Sequence, residues 1–397
     1  MPNLIVERGR EKGQSYPLAP GSTTVIGRDP QGSQVVIADV ASSRRHFQVT
    51  HRDGKWFVSD LGSKNFTFVN EEKCERETEL VPGDRIQVGE TVFSFNDDEK
   101  VQEKSAGLSG KEIGGYKILE RIGRGGMGTV YKAKQISLNR LVAIKLLSSK
   151  FAKDPSFVER FFAEARAAAQ LNHPNVVQVF DVGTLSGVHF FSMEFMEGGC
   201  VQDLLTARED SRLPWQEALP LIVDATRGLV FAEKRGIIHR DIKPDNLMLT
   251  SEQKVKIGDL GLATRAEETS GVGIFGTPHF IAPEQAQGKE VTHAADLYSL
   301  GATFYHCLTG QPPFTGPTPA VIMAKHLTED IEAVRKLRPD CPPGVAFVVE
   351  KLLEREREDR YQTPTELIEE LTAVIEGRWK PPAQAPVLRR RYRRRFR

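Results

Sequence analysis

The sequence predicts a multidomain protein in which an all-β sandwich is followed by a larger α+β domain. Residues 4–95 consist of short apolar runs that Gly, Pro, Asp and Asn interrupt roughly every 8–12 residues, a spacing typical of a sandwich. Residues 97–112 carry many charges and no aromatic residue, which indicates a flexible linker. Strand-like runs then give way to mainly helical periodicity. The predicted segments are therefore 1–96, 97–112, 113–376 and a tail at 377–397.

Individual elements follow from these runs. In the second domain YKILERIG and LVAIKLL are strand-like, and a helix is predicted to begin at Asp154-Pro155, because Asp is a good N-cap and Pro suits the first helical position. The helix body, FVERFFAEARAAAQL, has helical periodicity. The runs that predict the strands of the sandwich are LIVE, TTVIG, VVIA, HFQVT, WFVSD, TFVN, RIQVG and TVFSF.

The charge of the chain is unevenly distributed. The formal net charge is +1, but seven of the 54 basic residues lie at 389–397, which leaves fewer basic residues than the 53 acidic ones elsewhere. This tail predicts contact with an anionic membrane surface, and a solvated extension is the alternative. A nucleic-acid arm ranks below both, because the rest of the chain is acidic and contains no recognisable nucleic-acid module.

The sequence also predicts the cellular compartment of the protein. Its first residues are charged and no run reaches about 18 apolar residues, so we expect neither a secretory signal nor a spanning helix. A longer protein that continues from the basic tail into such a helix remains an open alternative. The four Cys are scattered without a CxxC pair, which argues against a zinc site or a disulfide framework and favours a reducing cytoplasm.

The string HRDIKPDN at 239–246, followed by DLG at 259–261, has the side chains that phosphoryl transfer needs. Asp241 can orient a hydroxyl group and accept its proton. Asn246 and Asp259 supply the oxygen ligands that Mg²⁺ prefers, so they are candidates to hold it between the phosphates of ATP.

A Gly-rich turn lies upstream, with Gly123, Gly125 and Gly128 in a GxGxxG pattern. Glycine lets backbone N–H groups approach phosphate oxygens without interference from a Cβ atom. Taken alone, this pattern could equally be a dinucleotide fingerprint or an ordinary turn.

Together with VAIK ending at Lys145 and APE ending at Glu284, these motifs make residues 113–376 resemble a bacterial-type (eukaryotic-like) serine/threonine protein kinase. The resemblance implies a bilobal α+β fold, ATP and Mg²⁺ as cofactors, and protein substrates with Ser or Thr. It also implies that Lys145 contacts the α- and β-phosphates and pairs with Glu164, with Glu159 as the alternative partner.

The resemblance assigns further roles around the nucleotide. Lys243 would neutralise the transferred phosphate, and with Thr277 it argues against tyrosine specificity. Met193 would lie behind the adenine. The adenine would be enclosed by Val130, Ala143 and Met248 and hydrogen-bonded by the backbone of Glu194 to Met196. His239, Asp296 and the pair formed by Glu284 and Arg360 would be structural.

The segment between Asp259 and Glu284 resembles an activation loop. Phosphate on Thr269 or Ser270 would add about −1.5 to −2 charge and could pair with Arg240, which precedes the catalytic Asp241. An unmodified loop is the alternative.

In the first domain, Gly27-Arg28, SSRRH at 42–46 and DLGSKNFTFVN at 60–70 resemble a forkhead-associated (FHA) domain, a sandwich that binds phosphothreonine peptides. The resemblance implies that Arg28, Ser43 and Arg44 hold the phosphate and that Asn65 holds the peptide backbone. Phe66 stands where this family usually has Gly, which predicts strain or an altered loop. A sandwich with a weakened phosphate site is the alternative.

These features predict an active kinase that autophosphorylates its activation loop, self-associates to do so in trans, and reads phosphothreonine on partners or on itself. The alternative is a pseudokinase-like scaffold in which both domains only bind partners. Five residues favour activity because a pseudokinase typically lacks at least one of them: Lys145, Glu164, Asp241, Asn246 and Asp259.

Overall fold

The computed structural model of the chain describes residues 2–11, 13–70, 72–81, 83–96, 108–124, 128–148, 151–259, 264–265, 277–316 and 318–381. These residues divide into two compact units. The first contains residues up to 170, 178–195 and 315–322, and the second contains 171–177, 196–314 and the residues from 323 onward.

The N-terminal part of the first unit is a β-sandwich, as predicted for an all-β domain. Its two sheets have the strand orders β2-β1-β11-β10-β7-β8 and β4-β3-β5-β6-β9. Inward-facing side chains such as Phe47, Trp56, Phe93 and Phe95 form a shared core. The strands are β1 (Asn3–Arg8), β2 (Ser15–Pro17), β3 (Thr23–Gly27), β4 (Val35–Val36), β5 (Phe47–Arg52), β6 (Lys55–Asp60), β7 (Phe68–Val69), β8 (Glu72–Lys73), β9 (Thr78–Leu80), β10 (Arg85–Val88) and β11 (Thr91–Asn96).

A separate antiparallel sheet follows, with the order β12-β13-β14-β15-β17-β16. The predicted helix is present as α1, and the Oδ1 atom of Asp154 accepts a hydrogen bond of 2.9 Å from Ser156 N, which confirms Asp154 as its cap. The elements are β12 (Glu112–Ile113), β13 (Tyr116–Arg124), β14 (Gly128–Gln135), β15 (Arg140–Leu147), α1 (Pro155–Ala169), β16 (Val179–Leu185) and β17 (Val188–Glu194).

The second unit is mainly helical, in agreement with the predicted periodicity. The long helices α3 and α5 pack with α8 and α9 around one apolar core. Two short antiparallel strand pairs follow, β18 with β21 and the hairpin of β19 with β20, and residues 239–246 connect β18 to β19. The elements are α2 (Val201–Thr206), α3 (Trp215–Glu233), β18 (Ile237–Ile238), β19 (Leu247–Leu249), β20 (Val255–Ile257), β21 (Thr264–Arg265), α4 (Pro283–Ala286), α5 (His293–Thr309), α6 (Pro319–Thr328), α7 (Val334–Leu337), α8 (Pro343–Leu352) and α9 (Pro364–Ile375).

Described residues lie on both sides of two of the predicted boundaries. Leu108 packs against the core beneath the second sheet and Glu112 pairs with Lys117, so this sheet begins before residue 113. The rest of the predicted linker, 97–107, lies outside the described residues. At the other end, the ring of Trp379, which follows residue 376, lies tilted against the ring of Phe347, with centroids 5.5 Å apart. Among the described helices, none is long and apolar enough to cross a membrane.

Candidate active site and phosphopeptide site

The catalytic loop is held in place by a buried carboxylate. Asp296, near the start of α5, accepts hydrogen bonds of 2.8 Å from the backbone N–H groups of His239 and Arg240. Burial raises the pKa of Asp296. His239 is also buried, and its Nε2 donates to Gly258 O at 3.0 Å. The expectations of a structural histidine and a bracing aspartate are therefore confirmed.

The structure brings together Asp241, Lys243, Asn246 and Thr277. Asp241 Oδ1 accepts hydrogen bonds from both the N–H and the hydroxyl of Thr277, each at 3.0 Å. Lys243 Nζ lies 3.0 Å from Asp241 Oδ2 and donates to Thr277 Oγ1 at 2.8 Å. Both carboxylate oxygens of Asp241 thus face donors, which favours this orientation of the side chain.

The two predicted metal ligands lie at one end of the hairpin formed by β19 and β20. Gly258 N donates to Asn246 O at 2.8 Å, and Asp259 follows directly with a left-handed φ of 51°. Asn246 Nδ2 donates to Asp241 O at 2.8 Å, so the amide oxygen Oδ1 is the atom that remains for a cation. An amide oxygen and a carboxylate are hard oxygen donors, so this pair fits Mg²⁺.

Arg240 is buried within the catalytic loop, with a left-handed φ of 69°. Burial lowers the pKa of its guanidinium group, and its Nε atom has no hydrogen-bond partner among the described residues. Gln285 Nε2 donates to Arg240 O at 2.9 Å. The role of Gln285 in holding this carbonyl was not predicted from the sequence, although the residue directly follows the APE motif.

The predicted ion pair between Glu284 and Arg360 is confirmed. The guanidinium group donates to the two carboxylate oxygens at 2.8 and 2.9 Å, and the Arg360 side chain is 0% exposed. This bidentate geometry ties α4 to the segment that precedes α9.

In the first unit, the register of the second sheet places the nucleotide-binding candidates on one face. Val130 is opposite Lys145, and Ala143 is opposite Met193. Since directly opposite residues and alternate residues share a face, these four side chains lie on the same face of the sheet. A Cβ atom at Gly128 would lie 2.2 Å from Leu146 O, so this position requires glycine. A Cβ atom at Gly123 would lie 3.8 Å from Val130 Cβ, which is an ordinary van der Waals contact.

Helix α1 packs on the face of the sheet that carries Lys145. Phe161 of this helix contacts Phe191, with ring centroids 5.1 Å apart, and Phe191 is directly opposite Lys145 in the sheet. Glu164 belongs to this helix, and its side chain lies outside the described part. The alternative partner, Glu159, is exposed.

The remaining candidates for contacting the adenine lie in other elements. Glu194 ends β17 in the first unit. Met196 is buried in the second unit, where Met248 lies in β19 opposite Lys256. Gly125, Thr269, Ser270 and the Arg tail lie outside the described residues.

The candidate phosphate site of the sandwich is built from three linked loops. Arg28 N donates to Ser43 O at 3.1 Å, and Lys64 N donates to Ser43 Oγ at 3.1 Å. A Cβ atom at Gly27 would lie 2.1 Å from Arg44 O, so glycine is required there. The side chains of Arg28, Arg44 and Lys64 are exposed, which makes this end of the sandwich cationic.

Asn65 and Phe66 form the third loop. Asn65 Nδ2 donates to Ala41 O at 2.8 Å. Phe66 has a left-handed φ of 58°, so the strain predicted from the missing glycine is present. His46 braces the loops, because its Nδ1 accepts from Ser43 N at 2.9 Å and its Nε2 donates to Phe66 O at 3.1 Å. Burial lowers the pKa of His46, which keeps the ring neutral, as this pair of bonds requires.

Comparison with known proteins decides the family of the larger domain. Residues 116–372, more than half of the chain, match the protein kinase domain family. The chain belongs to this family. The kinase is 38% identical over 283 residues to PknB, a serine/threonine-protein kinase of Mycobacterium tuberculosis, and 37% identical over 281 residues to PknB of Mycobacterium leprae. Each match covers 69% of the kinase and 44% of the relative, so the chain spans less than half the length of these relatives.

The kinase is also similar to solved structures. The crystal structure of the Mycobacterium tuberculosis PknI kinase domain superposes with a TM-score of 0.54 and 28% sequence identity, covering 66% of this chain and 98% of that one. The catalytic domain is therefore of the serine/threonine kinase type.

The sandwich matches a different family from that of the larger domain. Residues 6–99 match the family described as the cytoplasmic domain of an inner membrane component of T3SS, which has an FHA-like fold. This match supports an FHA-like sandwich, and it does not extend to the binding of phosphothreonine.

Proposed function

We propose that this protein is a Mg-ATP-dependent kinase that phosphorylates serine and threonine in proteins, including its own activation loop. The observation that carries the proposal is the Asp241 carboxylate, which contacts Lys243 through one oxygen and Thr277 through the other. The alternative, a scaffold without catalysis, would not need this arrangement.

In the proposed reaction, a substrate hydroxyl replaces one donor at Asp241, is oriented by the carboxylate and passes its proton to it. As the hydroxyl oxygen bonds to the γ-phosphorus, the bond from that phosphorus to the β–γ bridging oxygen breaks, and ADP leaves. The ammonium group of Lys243 balances the negative charge of the phosphoryl group during transfer.

Asn246 and Asp259 would hold Mg²⁺, which when bound neutralises charge on the phosphates. In the first unit Lys145 would contact the α- and β-phosphates, paired with Glu164. The apolar side chains of Val130 and Ala143 would contact the adenine on the same face of the sheet.

The test is transfer of label from γ-labelled ATP to the purified chain and to serine- and threonine-containing peptides, followed by a map of the phosphorylated sites. We expect Mg²⁺-dependent phosphate on serine and threonine, and none on tyrosine. A chain that binds ATP but transfers no label would instead support the scaffold.

Arg240 supports a role for phosphate in the activation loop. The Arg240 guanidinium group is buried, and its Nε has no hydrogen-bond partner in the part of the chain that the structure describes, so phosphate on Thr269 or Ser270 would supply a charge-assisted partner. We expect the double variant Thr269→Ala, Ser270→Ala to stay folded and to phosphorylate an added peptide much more slowly, because the unmodified loop favours a competing state. Full activity of the unphosphorylated double variant would contradict this role.

The cationic loops support a second function, the binding of phosphothreonine on a partner, a substrate or another copy of the chain. The predicted linker would raise the effective concentration of this reader near newly made phosphothreonine, and self-association would allow phosphorylation in trans.

Arg28→Ala tests this reader. Loss of a charge-assisted hydrogen bond of about 1.5–3 kcal/mol should weaken phosphopeptide binding at least tenfold. Isothermal titration with phosphothreonine and unmodified peptides measures the effect. The matched control is Arg52→Ala, because Arg52 is exposed at the end of β5 away from these loops and should not affect binding. Equal binding of both peptides by the wild-type chain would show that the site is lost.

The Arg tail remains a candidate for membrane contact. Each basic residue beside an anionic leaflet contributes on the order of 1 kcal/mol. We expect cosedimentation with anionic vesicles but not with neutral ones, and loss of this binding when residues 389–397 are deleted. Equal recovery with both vesicles would refute the contact.

A further inference from the structure

Large apolar side chains are exposed at the end of the sandwich that carries the candidate phosphate site. Single exposed apolar residues are common on protein surfaces, whereas several at one place mark a binding surface. Among the described residues of the sandwich, the exposed large apolar ones are Val36, Val40 and Phe66, with exposed fractions of 41%, 87% and 41%. We call these three residues the apolar rim.

One rim residue lies beside the arginine that is assigned to the phosphate. Val36 pairs with Gly27 in the parallel pair of β3 and β4, and Arg28 follows Gly27 directly. Arg28 N donates to Ser43 O at 3.1 Å, which joins this strand pair to the second phosphate loop. A phosphate held by Arg28 and Ser43 would therefore have an apolar side chain near it.

The other two rim residues lie beside the asparagine that is assigned to the peptide backbone. Val40 precedes Ala41, whose carbonyl oxygen accepts the hydrogen bond of 2.8 Å from Asn65 Nδ2, and Phe66 follows Asn65. This bond joins the loop of Val40 to the loop of Phe66. A peptide held by Asn65 would therefore pass next to apolar side chains.

The ring of Phe66 is presented by a fixed and strained backbone. Its φ of 58° would suit glycine better, and its carbonyl oxygen accepts from His46 Nε2 at 3.1 Å. The next residue, Thr67, is buried and donates to Asp60 Oδ2 at 2.7 Å. Lys73 Nζ lies 3.6 Å from the centre of the ring, so the exposed ring has a defined place. Strained residues cluster at ligand sites, which favours contact of this ring with a ligand.

The same loops are cationic. Four exposed side chains carry this charge: Arg28, Arg44, Arg45 and Lys64. A surface that combines cations with an apolar rim fits a phosphorylated peptide that has acidic and apolar side chains close to the phosphate.

The chain itself contains a segment with this composition. Residues 267–275 read EETSGVGIF, in which two glutamates precede Thr269 and three apolar residues follow it: Val272, Ile274 and Phe275. This segment lies outside the described residues, and its sequence alone supplies the match. Its acidic residues complement the cationic loops, and its apolar residues complement the rim.

We propose that the apolar rim selects phosphothreonine that is followed by apolar residues, and that the ligand is segment 267–275 of a second copy of the chain, phosphorylated on Thr269. The inference rests on the phosphothreonine binding proposed above and specifies its ligand. Self-association for phosphorylation in trans would bring the segment of one copy to the sandwich of another.

The test titrates three fluorescent peptides of residues 264–276 into the full chain after phosphatase treatment, without ATP. The first peptide carries phosphothreonine at 269. The second has the same phosphothreonine and the changes Val272→Ser, Ile274→Ser and Phe275→Ser, and the third is the native sequence without phosphate. We expect the first peptide to bind at least about tenfold more tightly than either of the others, because burial of apolar side chains and a charge-assisted phosphate contact each contribute this much.

Two variants assign the difference to the rim. Phe66→Gly relaxes the strained backbone and Val40→Ser changes an exposed side chain, so both should keep the thermal stability of the wild-type chain. Phe66→Gly should weaken binding of the first peptide by about tenfold and Val40→Ser by less, and neither should change binding of the second. The matched control is Leu138→Ser, because Leu138 is exposed between β14 and β15 and should affect no peptide.

Sedimentation velocity tests the second copy. A chain prepared with genetically encoded phosphothreonine at 269 should sediment as a dimer or larger species above the Kd of the first peptide. An excess of the first peptide, but not of the third, should return it to a monomer. A phosphorylated chain that stays monomeric at these concentrations would overturn the second copy as the source of the ligand.

The titrations also separate this inference from the function on which it rests, and none of them requires catalysis. Equal affinities of the wild-type chain for the two phosphopeptides would overturn the role of the apolar rim and leave phosphothreonine binding in place. Equal affinities for the first and third peptides would overturn phosphothreonine binding and this inference with it.

Discussion

Replacement of Asp241 by Asn is expected to lower phosphoryl transfer by about 10²–10⁴-fold, the range that a positioned general base contributes. The change removes the charge that orients Lys243 and the atom that would accept the substrate proton. The side-chain volume is retained, so the loop should keep its bonds to Asp296. Steady-state transfer from labelled ATP to a peptide measures the loss.

The same variant should bind ATP with nearly wild-type affinity, because Asp241 is assigned to the hydroxyl and not to the nucleotide. Glu252→Gln is the matched control, since Glu252 lies in the exposed turn between β19 and β20 and should keep full activity. Undiminished transfer by Asp241→Asn would remove Asp241 from the proposed mechanism.

Much of this site is predictable because its chemistry is local in sequence. HRDIKPDN places Asp241, Lys243 and Asn246 within six residues, so one turn and one hairpin are enough to assemble them. What the sequence does not reveal is how distant segments fix that turn. Gln285 holds the Arg240 carbonyl across 45 residues, and no periodicity signals such a contact.

Prediction of the sandwich strands from the sequence is limited in a similar way. All eight predicted apolar runs contain or overlap observed strands. Along a strand of a sandwich, residues that face the core alternate with residues that face solvent, so apolar and polar residues alternate in the sequence. Three described strands were not predicted: Ser15–Pro17, Glu72–Lys73 and Thr78–Leu80. Each has only two or three residues and lies outside an apolar run, and pairing with a neighbouring strand defines it.

Phe66 shows where a departure from a family pattern is informative. A missing glycine predicted strain, and the backbone is left-handed at this residue. The sequence could not show that Lys73 would lie over the Phe66 ring, with its Nζ 3.6 Å from the ring centre. This contact gives the exposed ring a fixed neighbour beside the candidate phosphate site.

Glu284→Gln should produce the largest loss of stability. Arg360 is fully buried and also donates to the backbone carbonyls of Ala294, Glu354 and Arg355. Gln keeps the shape of Glu but removes the compensating charge and places an amide N–H group against guanidinium donors. A buried charge that loses its partner costs about 3–5 kcal/mol, so the free energy of unfolding in denaturant should fall by about this amount.

Two further variants test whether the uncompensated charge is the cause. Glu358→Gln removes a carboxylate from an exposed pair with Arg357 and should leave the unfolding midpoint unchanged. Adding Arg360→Met to Glu284→Gln should recover part of the loss, because an apolar side chain needs no counter-charge. An equal midpoint for Glu284→Gln and the wild-type chain would contradict the assignment. Since Glu284 precedes Gln285, which holds the Arg240 carbonyl, Glu284→Gln should also slow phosphoryl transfer under conditions where the chain is still folded.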